Sequence, residues 1–275
     1  MVLWQTTQDL SKNETNKKQI MDFAITNVPF WVSALFILFF ISPVYLIAKV
    51  AKEGYLKAGK SEQESKQISN RIYLFFGVYL LMIGGLSLAG VFTVNTLPPR
   101  ILICSTIPLF LFYLLYVRRS DWFKTIMHHA PLSSIVLIHV FRFVGVFFFI
   151  NYAYGSLPKT FAFVGGAGDI IAAGLAILVA FALRNRKNYA IPLTWFWNCI
   201  GLLDIISVLF TAVATTRLAM ATGAEGVAQF GSFPFSWIPA FAPATIIFLH
   251  LIVFERLIAI AKAKSRSVDY AVNGG

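Results

Sequence analysis

The sequence predicts an all-α integral membrane bundle of seven transmembrane helices, on three observations. Of its 275 residues 58% are apolar and 13% charged, against about 45–50% and about 25% in a soluble domain. A water-soluble fold would lack the polar surface to cover such a core, and hydrocarbon solvent removes that need. Seven apolar stretches reach or approach the roughly 20 residues a span requires. They are Val28–Ala48, Ile72–Val94, Ile101–Val117, Leu132–Tyr152, Thr160–Leu183, Ile191–Thr215 and Phe235–Leu257. The 23 Lys and Arg fall unevenly: sixteen near one set of span ends, six near the other, and Arg142 within a span. Retention of basic residues in the cytoplasm then places the amino terminus outside and the carboxyl terminus inside.

This composition excludes a disordered chain and argues against a soluble enzyme. A net charge of +11 would suggest nucleic acid in a soluble protein, but here it records orientation, so no nucleic-acid partner is expected. The expected partner is the lipid bilayer of a cell inner membrane, and self-association into a homo-oligomer is left open.

In chain order, residues 1–27 form a short polar outer tail without a cleavable signal, so the first span directs insertion. The Asn13-Glu14-Thr15 triplet is too short a pattern to carry weight. Residues 28–257 make one transmembrane domain. Its segment 51–70 is rich in Lys, Glu, Gln and Ser and suits a cytoplasmic polar loop or a solvated helical extension of the first two spans. Asn95–Arg100 and Gly155–Lys159 are tight turns carrying Pro98, Pro99 and Pro158. Asp121–His129 mixes Trp122, Phe123 and Met127 with Lys124 and His128, as a helix at headgroup level does. Residues 258–275 form a cytoplasmic tail. Cys104 and Cys199 lie within apolar runs and read as buried small residues.

Ionisable groups at bilayer depth cost about 2.5–3.5 kcal/mol each on insertion scales, so they mark function or fixed packing. All lie in the second half: His139 and Arg142 in span four, Asp169 in span five, Asp204 with Asn198 in span six, and His250 in span seven. His139, Asn198 and His250 each stand seven residues from the inner end of their span, about 10 Å at 1.5 Å per residue. One layer therefore holds all three. Asp169 and Asp204 lie further outward, roughly 20 Å in, where pairing with Arg142 offsets their desolvation.

Helical faces support a shared interior. His139, Arg142, Val146 and Phe149 form one stripe, and Thr194, Asn198, Gly201, Asp204, Ser207 and Thr211 form a small or polar strip. Gly168, Ala172, Ala176 and Ala180 provide a small-residue seam for close approach. Gly165-Gly166-Ala167-Gly168-Asp169 lacks the strand and third glycine of a nucleotide loop, and reads as a packing element or local unwinding. Pro239, Pro243, Ile246 and His250 share a face on which the prolines favour a kink, as in transporter helices that line a site. Trp195, Phe196 and Trp197 read as an aromatic belt, with Trp197 an alternative cavity wall.

Several of these segments, Ile138-His139-Val140-Phe141-Arg142, Leu157-Pro158-Lys159-Thr160-Phe161-Ala162 with Gly166-Ala167-Gly168-Asp169, Trp197-Asn198 with Gly201 and Asp204, and Ile238-Pro239-Ala240-Phe241 with Pro243 and His250, resemble an uncharacterised family of bacterial seven-helix inner-membrane proteins. The resemblance covers residues 132–257. It implies a bacterial inner membrane and no particular activity. The topology also resembles microbial rhodopsins, but no Lys lies between Phe235 and Leu257, so no retinal Schiff base is expected.

Three functional classes follow. The first binds or transports a proton, ion or small solute through His139, Arg142, Asp169, Asn198, Asp204 and His250, supported by Trp197, Gly168, Gly201, Pro239 and Pro243. The second binds haem or a divalent metal through His139 and His250, and includes an intramembrane hydrolase with Asp204 as third ligand or base. The third is a structural subunit whose polar layer fixes helix register.

Overall fold

A computed structural model describes residues 28–224 and 226–273, with side chains as far as 266. The expected outer tail, residues 1–27, lies outside the described residues. Among the described residues eight helical segments build the fold: α1 (Phe30–Lys57), α2 (Glu62–Leu88), α3 (Leu102–Val117), α4 (Asp121–His129), α5 (Leu132–Ala153), α6 (Lys159–Arg184), α7 (Ala190–Thr222) and α8 (Trp237–Asn273). A 3₁₀ turn, Ala228–Gly231, precedes α8, and no strand occurs among the described residues. Six of these helices are long and apolar enough to cross a membrane, counted among the described residues. The bent pair α3–α4, whose axes meet at 86°, makes up to seven.

The segment 51–70 is helix on both sides of a short turn. Ser61 caps α2 by accepting from Glu64 N–H at 3.2 Å while Glu64 Oε2 accepts from Ser61 N–H at 2.9 Å. This reciprocal pairing satisfies two otherwise free donors. Lys52 bonds Glu62 at 2.7 Å across the turn. At the other end α2 stops at Leu88 rather than Val94, because Gly90 takes a positive φ of 72° that L side chains resist. The span expected to end at Thr215 instead runs to Thr222, where Gly223 turns left-handed. The tail expected from residue 258 continues α8 as helix to Asn273.

Two ends are distinguishable by their contacts. At one, Arg118 meets Glu255 at 2.5 Å and Arg256 donates to Met127 O. There α4 packs under α1, with Ile126 O only 3.0 Å from where a Cβ of Gly54 would stand. At the opposite end Ser87 Oγ donates to Gly231 O at 2.6 Å, and Phe161 and Phe148 pack on Phe230. Between them Phe36, Phe40, Phe147, Phe235 and Phe241 form an aromatic core with edge-on contacts, Phe36 to Phe147 at 5.1 Å. Phe30, Leu81 and Phe210 are among many large apolar residues turned outward, which suits a lipid solvent. Cys104 and Cys199 also face outward, against expectation, since a lipid-facing surface accepts the small apolar residues that a water-facing one does not.

Span four departs most from its expected form. Its centre, His139–Gly145, is 3₁₀ helix between two α-helical pieces. At three residues per turn, side chains i and i+3 eclipse, so His139, Arg142, Gly145 and Phe148 share the buried face. The stripe read through Val146 and Phe149 is therefore corrected: Val146 is exposed. The phase shift brings Gly145 against α6, where a Cβ would meet Gly166 O at 2.6 Å and Asp169 Cβ at 2.9 Å.

Pro243 breaks no helix, and α8 continues through it. Having no N–H, Pro243 leaves Pro239 O without its intrahelical donor, and Thr106 Oγ1 of α3 supplies one at 2.6 Å. The Gly145→Ala variant is expected to lose about 1–3 kcal/mol of stability by overpacking, read as a lowered unfolding midpoint in detergent. Retention of the wild-type midpoint would disprove the close approach of α5 and α6.

Candidate functional site

The site forms where α5, α6, α7 and α8 meet. Its centre is Arg142, which is fully buried. Its Nε donates to Asp169 Oδ1 at 2.7 Å, an NH2 proton goes to Asp204 Oδ2, and NH1 donates to Gly201 O at 3.1 Å. NH1 also points at His250 Nε2, 3.4 Å away. One guanidinium thus ties α5 to α6, α7 and α8. The planar fork of arginine suits two carboxylates at once, which a lysine ammonium would not hold in fixed directions. Asp169 is buried, while the Asp204 side chain keeps 13% of its surface open.

Glycines make this approach feasible. A Cβ on Gly168 would collide with the Asp204 carboxylate, and one on Gly201 would meet His250 Cε1 at 2.6 Å and Arg142 NH1 at 3.3 Å. The Gly165–Asp169 segment remains regular helix, so of its two expected roles it takes that of packing element. Buried Ala172, Ala176 and Ala180 continue the seam.

The imidazole layer lies beside Arg142. Asn198 Nδ2 donates to His250 O at 3.1 Å, which orients its amide so that Oδ1 accepts from His250 Nδ1–H at 2.8 Å. His250 Nε2 is then a lone pair turned toward Arg142. His139 Nδ1–H donates to Val136 O at 3.2 Å, leaving Nε2 as a buried acceptor with no partner. The two rings are 4.4 Å apart, centroid to centroid. Trp197 covers them, edge-on to His139 at 4.8 Å, with its own N–H on Ala172 O at 3.0 Å. Trp197 is therefore a fully buried wall rather than part of an aromatic belt; Phe196 beside it faces outward.

All six site residues expected from the sequence come together here. Pro239 and Pro243 act on the backbone instead: Pro239 O, freed by Pro243, accepts from Thr106. The polar strip of α7 divides: Thr194, Asn198 and Gly201 are buried, whereas Ser207 is exposed. Sequence reasoning missed Val136 O and Gly201 O as acceptors, because backbone acceptors carry no residue-type signal. It also missed Gly145 and Gly166 as the close-contact pair.

Metal and haem chemistry fit this geometry poorly. Rings 4.4 Å apart touch each other, and a haem between two axial imidazoles needs both rings held apart by its plane. Asp204, expected as a third ligand, is engaged by Arg142. No group of three or more His, Cys, Asp or Glu among the described residues is placed to hold a metal ion.

A family model described as a domain of unknown function (DUF8737) matches residues 98–258, which includes every residue of this cluster. No curated protein and no solved structure matches the chain.

Replacing Arg142 by Leu leaves the buried Asp169 and the partly open Asp204 without their counter-charge, and is expected to cost about 3–5 kcal/mol. The combined Arg142→Leu, Asp169→Asn and Asp204→Asn variant should recover part of that loss, measured by denaturation in detergent. Equal stability of Arg142→Leu and wild type would show that the cluster contributes nothing to folding.

Proposed function

The chain belongs to the DUF8737 family, and for its buried cluster we propose the binding and transfer of protons within an inner membrane. The carrying observation is a charge imbalance held in a packed interior. Arg142 bears one positive charge and faces two carboxylates, so the cluster is neutral only after taking up one proton or one monovalent cation. Beside it stand two imidazole lone pairs, His250 Nε2 and the unpartnered His139 Nε2. A proton suits this site better than a solute, because the side chains touch and leave no room at Gly201 even for a methyl group. Asp204, the partly open member, is the entry point, and His139 is the innermost acceptor.

A structural reading has one specific support. Arg142, Asp169, Asp204, Asn198 and His250 bond to one another or to backbone carbonyls across helices, as a register-fixing layer would. Reconstituted vesicles under a pH gradient separate the two. Wild type is expected to dissipate the gradient faster than empty vesicles, and Asp204→Asn and His139→Phe to reduce that flux about tenfold or more, a loss typical of removing a proton-transfer group. Flux equal to empty vesicles for folded wild type would favour the structural reading.

The chain crosses the membrane seven times, with α3 as a short span that bends into α4, the amino terminus outside and the carboxyl terminus in the cytoplasm. Support comes from the basic residues at the end where Arg118 meets Glu255 and from the retention of such residues inside. The family resemblance points to a bacterial inner membrane. Reporter fusions after Gly59 and Asn188 are expected to behave as cytoplasmic, and one after Gly223 as external. An external reading at Gly59 would invert the assignment.

A further inference from the structure

Away from the polar cluster, α1, α2, α3, α4 and α8 enclose a cavity of about 330 Å³. That is within the range of about 300–1,000 Å³ for small-molecule sites. Its deep wall is apolar and buried, including Phe76, Leu249 and Ile252, and the Tyr113 and Thr245 hydroxyls at its floor bond each other at 2.9 Å. These two hydroxyls bond each other and the wall around them is apolar, so the interior suits a hydrocarbon rather than a polar group.

The rim has a different chemistry. Its exposed members include Tyr116 and Arg71, and Arg71 has no hydrogen-bond or ion-pair partner among the described residues. Arg71 stands at the charged end of the fold, one helical turn and a little more from Phe76 on α2. The cavity exists because α3 is short and turns by 86° into α4, so that α4 roofs a space that a straight span would have filled.

We propose that this cavity binds one acyl chain of an anionic phospholipid from the adjoining leaflet, with Arg71 engaging the phosphate. A cation beside an apolar slot at interfacial level matches such a lipid in both charge and depth. A zwitterionic lipid offers the same chain but compensates the phosphate charge with its own amine. The proposal is independent of proton binding, since α8 presents Thr245 and Leu249 to the cavity and His250 to the cluster.

The test is native mass spectrometry of the detergent-purified full chain, incubated separately with dioleoyl phosphatidylglycerol, dioleoyl phosphatidylcholine and oleate. Wild type is expected to retain phosphatidylglycerol over phosphatidylcholine by roughly fivefold, the worth of one interfacial cation. Arg71→Gln should erase that preference, and the cavity-filling variants Ala51→Phe and Ile68→Trp should lower retention of both phospholipids. Two filling variants on different helices separate filling of the cavity from a local disturbance of the α1–α2 hairpin, and Arg71→Gln lies at the exposed rim, outside the core. Absence of a phosphatidylglycerol preference in wild type would overturn the proposal. So would an undiminished preference in Arg71→Gln, or retention of oleate with no retention of phosphatidylglycerol, which would identify a free fatty acid as the occupant.

Discussion

The arrangement of α5 to α8 depends on one constraint: a guanidinium inside an apolar bundle must have its charge and its N–H groups met by other residues. Arg142 obtains both from Asp169, Asp204 and Gly201 O. In lipid, dispersion and hydrogen bonding rather than the hydrophobic effect hold helices together. A charge that can be satisfied only when three helices are in register selects that register over alternatives. The price is close approach, and the glycines at 145, 166, 168 and 201 make it sterically feasible.

A second demand runs through the rest of the bundle, that polar groups, side-chain donors and freed carbonyls alike, be satisfied within the protein. Thr106 meets the carbonyl that Pro243 releases, Tyr79 OH donates to Ala240 O at 2.9 Å, and Trp237 Nε1 reaches Leu80 O at 3.0 Å. Each contact joins different helices, so satisfying one polar group also fixes the packing of two helices. The 3₁₀ centre of α5 belongs with these, since its tighter winding turns His139 and Arg142 to a common side and seats Gly145 on α6.

The same helix, α8, serves two regions of unlike chemistry. One face carries His250 into the charged cluster, and another carries Thr245, Leu249 and Ile252 along an apolar cavity. The cluster is tightly packed, open only at Asp204 and with an orphan acceptor at His139 Nε2; the cavity is open at a cationic rim. Proton binding fits the first because a proton needs only lone pairs. A hydrocarbon chain fits the second because it needs volume without polar partners.

The sequence by itself determined the solvent and the cast of residues. Apolar stretches of span length announce helices in lipid, since only there does burying so little polar surface incur no cost, and ionisable residues at depth announce an interior site because lipid will not accept them. Equal distance from the span ends was enough to group His139, Asn198 and His250, as helical rise is nearly constant. Only the tertiary structure decided which groups bond. Arg142 meeting both acids rather than one, Trp197 turning inward while Phe196 turns out, and the exposure of Val146 each depend on helix rotation. Rotation follows from a local change of winding in α5 and from contacts between residues distant in the chain, and a hydrophobic pattern that is apolar on every side carries no signal for either. The cavity likewise came from the bend between α3 and α4, which arises from how those helices pack and not from composition.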